Sequence, residues 1–87
     1  MTNNATIGSL VKATAGRDAD KFFIIIGIIN SDYVLIADGK NRSVKKPKMK
    51  KIKHLKMQNV VFDNIAPLVE AKKLLDADVR KAIKTIL

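Results

Sequence analysis

The chain has 87 residues, which sets one small domain as the expectation, of a size that buries only about 60–65% of its unfolded surface. It has no cysteine and one histidine, His54, which excludes a disulfide framework and a cysteine-based zinc site and leaves no metal constellation. Hydrophobic residues make up 47%, and 17 basic residues against 8 acidic ones give a net charge of +9, a composition too apolar for a disordered chain.

The opening "MTNNAT" lacks the basic and long apolar regions of a signal peptide and is read as a flexible terminus over residues 1–6. Ile7 to Ala13 reads as a first strand. "TAGRDAD" follows as a loop marked by Gly16 and two aspartates. "KFFIIIGII" is short, β-branched and aromatic, as suits a strand buried on both faces. It is also far short of a membrane span. Gly27 inside it predicts a bulge or bend. After the turn "NSD", Tyr33 to Ala37 is the third strand. Asp38-Gly39 reads as a two-residue hairpin turn, which makes Lys40 to Val44 the returning strand. Pro47 is expected to end regular pairing, with a last strand near 51–56. Five short strands with tight turns predict a small antiparallel barrel.

From Asn64 onward the period changes. Pro67 fits the first turn of a helix, with Asn64 as its cap. Asp76 reads as a second N-cap, with Asp78 favourable near the positive end of the helix dipole. Val79, Ala82, Ile83 and Ile86 follow helical spacing. Two short helices in a hairpin are expected, packed on the barrel or on a second copy. The predicted organisation is a flexible N-terminus (1–6), a barrel (7–59) and a C-terminal helical appendage (60–87).

Catalytic signals are weak. Ser9, Ser31 and Ser43 have no triad-like context, and Asp18, Asp20, Asp32 and Asp38 sit in turns, where aspartate serves the backbone. The four glycines match neither dinucleotide nor P-loop spacing. The expectation is a non-catalytic protein without cofactor or metal. Charge is the strong signal. Nine of the 17 cations and none of the 8 acids fall within residues 40–56, so the rest of the chain, with eight of each, is neutral. A solvated charged loop is the ordinary reading of such a run. Here, however, it is one-signed and interleaved with Val44, Met49, Ile52 and Leu55, which can pin it to a core. A concentrated field of one sign points to a polyanionic partner. Lysine outnumbers arginine eight to one in the segment. Lysine meets phosphate as a point charge, so backbone and shape contacts are favoured over a base code. Phe22, Phe23 and Phe62 are assigned to the core. Tyr33 is read first as a barrel-edge residue and second as a stacking platform.

"GSLVKATAGRDADKFFIIIGI" resembles the KOW motif, a strand–loop–strand unit whose connecting loop carries a glycine, here Gly16. The continuation "YVLIADGKNRSVKKPKMKKIKHL" looks like the bacterial KOW-domain RNA-binding proteins related to the fourteen-e type large-subunit ribosomal protein. The matching pieces are Ala15-Gly16-Arg17-Asp18, Asp38-Gly39, Arg42 and Pro47-Lys48 through His54-Leu55, within residues 7–56. The resemblance implies an SH3-like barrel and binding of RNA, ribosomal RNA or a ribosome-associated complex. It also implies one RNA-facing surface shared by the loop after the first strand and the basic segment. On that basis the RNA-binding candidates are Arg17, Lys21, Lys40, Arg42, Lys45, Lys46, Lys48, Lys50, Lys51 and Lys53. One departure is that many KOW motifs carry a second loop glycine near where this sequence reads Ala19-Asp20-Lys21. The helices lie outside the resemblance.

The rival expectation is a protein-interaction module that uses the barrel and the apolar helix stripe, with self-association as one form of it. Anionic lipid ranks last, because the lysine run has no aromatic or acyl anchor. A cytoplasmic setting fits the missing cysteines and the missing membrane span.

Overall fold

A computed structural model describes residues 5–87. Its strands are β1 (Ser9–Ala13), β2 (Phe22–Ile28), β3 (Tyr33–Ala37), β4 (Lys48–Lys51) and β5 (Leu55–Val61), followed by helices α1 (Ile65–Glu70) and α2 (Asp76–Lys84). The strands form one antiparallel sheet in the order β4-β3-β2-β1-β5. The most apolar strand, β2, is therefore central. Its alternate residues are buried on opposite faces, as a strand enclosed on both sides requires. Ile24 and Ile26 join a core with Leu10, Ala37 and the helical residues Ile65, Val79, Ala82 and Ile83. Phe23 and Ile25 join Val11, Ala13, Val34, Ile36 and Leu55 on the other face. The expected bulge falls in place, with the β2–β3 register slipping between Ile25 and Gly27.

The two edge strands, β4 and β5, are separated only by a 3-10 turn at Ile52–His54. Such a short link forces the sheet to curl until its edges approach at that end. The turn is tied on both sides. Ile52 N–H donates to the Asp32 carbonyl at 2.8 Å, and the Thr14 N–H and hydroxyl both donate to the His54 carbonyl, at 2.9 and 3.0 Å.

Several expectations need correction. Residues 40–44 form no strand, and Asp38-Gly39 is not a two-residue hairpin. Asp38 Oδ1 instead accepts the backbone N–H groups of Lys40 and Arg42, each at 2.9 Å. This bonding holds the chain in a local loop, a use of aspartate that competes with strand pairing. α2 then captures the loop. Arg80 Nη1 donates to the Gly39 carbonyl at 2.6 Å, and Val44 N–H donates to Asp76 Oδ1 at 2.8 Å. Gly39 has φ +80°, and a Cβ there would lie 2.6 Å from the Asp76 carbonyl oxygen. Only glycine permits that close approach. The returning strand is β4, which begins after Pro47 rather than ending at it. The last strand runs to Val61, because Ile52–His54 is a turn. The helix caps also differ. Asn64 occupies the cap position of α1 without a side-chain cap bond. Leu75 precedes α2, and Asp78 Oδ2 accepts its N–H at 2.9 Å.

The expected flexible terminus falls partly on residues 1–4, outside the described residues. Thr6 closes a small turn in which its hydroxyl and that of Ser9 lie 2.8 Å apart. The helices cover one face of the sheet and share its core. No helix of the described residues is long and apolar enough to cross a membrane.

Candidate functional site

The loop between β1 and β2 turns on Gly16, at φ +81°, and on Asp20, at φ +68°. Asp20 stands in the region where many KOW motifs place their second glycine. It takes the left-handed conformation that aspartate tolerates better than most residues. The loop reverses without a glycine there, and Asp20 N–H donates to the Ala13 carbonyl at 2.7 Å.

Asp18 sits in this loop with 5% exposure. Its Oδ2 lies 3.5 Å from Arg42 Nη2 and 3.5 Å from Lys48 Nζ, at ion-pair rather than hydrogen-bond geometry. Two residues further along β4, Lys50 Nζ donates to the Ala15 carbonyl at 3.3 Å. The reason is visible in the register. Lys48 pairs with Ile36 and Lys50 with Val34, and both partners are fully buried. The two lysines thus stand on a core face, lay their stems over it and carry their ammonium groups to its rim. Lys48 and Lys50 turn inward first and fasten β4 to the β1–β2 loop.

The other candidates divide into groups. Arg17 is exposed on the β1–β2 loop, and Lys45 and Lys46 are exposed on the loop before β4. Lys51 Nζ lies 5.8 Å from the centroid of the Tyr33 ring. Lys51, Tyr33 and Lys53 flank a cleft of about 510 Å³ that also includes Asp32 and Ile52. Lys21 and Lys40 line a different groove, of about 580 Å³, against α2. There they meet Arg80, Lys81 and Lys84, three cations that sequence reasoning left out of the site. Lys81 and Lys84 lie off the apolar stripe of Val79, Ala82 and Ile83. Nothing local in the sequence brought them to Lys21 and Lys40.

The anchors interleaved with the basic run behave unequally. Leu55 is buried, Ile52 and Val44 are half-buried against the two cores, and Met49 is 56% exposed. Among the described residues, no group of three or more His, Cys, Asp or Glu side chains is placed to hold a metal ion.

No protein-family model and no curated protein matches the chain. The likeness to KOW proteins therefore rests on the quoted residues alone.

Proposed function

We propose that this chain is a non-catalytic RNA-binding protein that presents a lysine-rich surface of a small curled sheet to folded RNA. Ribosomal RNA, or a ribosome-associated complex, is the target class that the KOW resemblance implies, and a cytoplasmic setting suits it. One observation carries the reading. The basic segment is built into β4, its turn and a bonded loop, and it is fastened to the β1–β2 loop through Asp18 and the Ala15 carbonyl. A segment already ordered loses less entropy on binding than a tail. Among the described residues both ion pairs fall on Asp18, so most of the segment's charge is left for an external anion. Lysine favours phosphate contacts, and counterion release supplies the affinity.

The rival reading, a protein-interaction module, drew on the apolar stripe of α2. Val79, Ala82 and Ile83 of that stripe pack on the sheet, which leaves the rival the exposed Ile86 and Leu87 and the apolar residues exposed on the strands, Ile28, Met49 and Val61.

The test is a titration of the protein against a fluorescent RNA hairpin at several salt concentrations. Affinity is expected to fall by about a hundredfold or more between 50 and 200 mM salt. The double variant Lys45→Glu, Lys46→Glu should bind more weakly and flatten that dependence. Binding that does not change with salt would refute the mechanism.

A further inference from the structure

The groove between α2, the start of β2 and the loop after β3 has cations on its rim and an apolar floor. Its lining includes the cations Lys21, Lys40, Arg80, Lys81 and Lys84 and the apolar side chains of Phe22 and Ile83, which share the core below, with the exposed Leu87 at its edge. One carboxylate, Asp38, lies among them, and its Oδ1 already accepts two backbone N–H groups. Arg80 is held in place by its bond to the Gly39 carbonyl. The surplus of positive charge selects an anionic occupant, and the floor selects one with an apolar part. At about 580 Å³ the groove falls within the roughly 300–1,000 Å³ of small-ligand pockets.

We infer that this groove receives an unpaired nucleotide of the bound RNA, with its phosphates on the rim and its base against the floor. The inference rests on the RNA-binding reading and extends it from the sheet to α2. A nucleotide joins a charged backbone to a flat, weakly polar base, which is the pairing of surfaces the groove offers. Continuity favours RNA over an acidic peptide. Lys21 follows Asp18 in one loop, with its N–H donating to the Asp18 carbonyl at 3.0 Å. Lys40 precedes Arg42 in another loop, and both N–H groups share Asp38. The two loops thus run from the Arg42–Lys48 surface to the groove, and a strand leaving that surface can follow either of them into it. α2 becomes part of the recognition surface, and the protein gains a preference for helices that end in, or are interrupted by, single-stranded nucleotides.

The test compares two fluorescent RNA hairpins with the same stem, one blunt and one carrying a two-nucleotide 3′ overhang, by anisotropy with the full chain. The overhang is expected to bind about fivefold more tightly. That ratio should fall to about one in Lys81→Glu, Lys84→Glu and, independently, in Leu87→Asp, while Lys45→Glu, Lys46→Glu weakens both RNAs and keeps the ratio. An overhang lacking its bases should bind like the blunt hairpin. The inference is overturned by a ratio of one in the wild type, by a ratio that survives both groove variants, or by a baseless overhang as good as the intact one. It is also overturned if a peptide alternating aspartate and leucine binds more tightly than the overhang RNA and loses that binding in Lys81→Glu, Lys84→Glu. Failure of the RNA-binding reading looks different, since neither hairpin would then bind in a salt-dependent way.

Discussion

Asp18 Oδ2 faces Arg42 and Lys48 at equal distances of 3.5 Å, and replacing it separates two effects that normally run together. Asp18→Asn keeps the shape and removes the charge. An exposed ion pair contributes about 0–1 kcal/mol, whereas breaking a buried one costs about 3–5 kcal/mol. Here the carboxylate is buried, but the Arg42 and Lys48 side chains are 35% and 32% exposed, so water takes up part of their charge. A loss of about 1–2 kcal/mol is expected, read as a lower urea midpoint with an unchanged slope. The net charge rises by one in the same variant. If the surface acted only by its total charge, RNA affinity would increase. If Asp18 organises it, affinity should fall by about threefold despite the added charge. Increased affinity would show that the pin between the β1–β2 loop and β4 is not needed for binding.

Among the elements, β2 and β3 were legible as short β-branched apolar runs and α2 by its helical spacing, and β2 also announced its bulge through Gly27. The loop after β3 was not legible. Asp38-Gly39 carries a strong local turn signal, yet the groups that capture this loop, Asp76 and Arg80, lie 32 and 41 residues from their partners. β4 was hidden for another reason. "KMKK" has no apolar alternation, because Lys48 and Lys50 fill core-face positions with their stems. The helices were expected to pack on the barrel or on a second copy, and Ile65 and Val79 are fully buried among residues of β1, β2 and β3. This predicts one cooperative unit. Ile65→Ala should cost about 2–5 kcal/mol. The helical circular dichroism and the fluorescence of Tyr33, the single tyrosine, should shift together on denaturation. Loss of helix signal with an unmoved Tyr33 transition would make the helices a separable piece.

At the scale of the molecule, the net charge of +9 must be accommodated within about 30 × 23 × 23 Å. Nine cations in one segment, with Asp18 alone among the described residues paired to two of them, repel one another, and the repulsion opposes the compact state. The reach of that repulsion depends on salt. At 0.01 M the Debye length is about 30 Å and spans the whole protein, whereas at 0.15 M it is about 8 Å and couples only near neighbours. The ion pairs at Asp18 oppose this trend, since screening weakens attraction too, but they act at 3.5 Å around a buried carboxylate and are screened less. Added salt should therefore stabilise the free protein. A relief of about 1 kcal/mol moves the melting temperature by about 4–8 °C in a domain of this size, so a rise of that order is expected between 10 and 150 mM sodium chloride. RNA binding should weaken over the same range, because added salt reduces the gain from releasing the cations condensed on the RNA. The two dependences involve the same lysines and have opposite signs. In Lys45→Glu, Lys46→Glu both should shrink together. A melting temperature that falls with salt, or a variant that flattens only one of the two, would place the self-repulsion outside the surface that meets RNA.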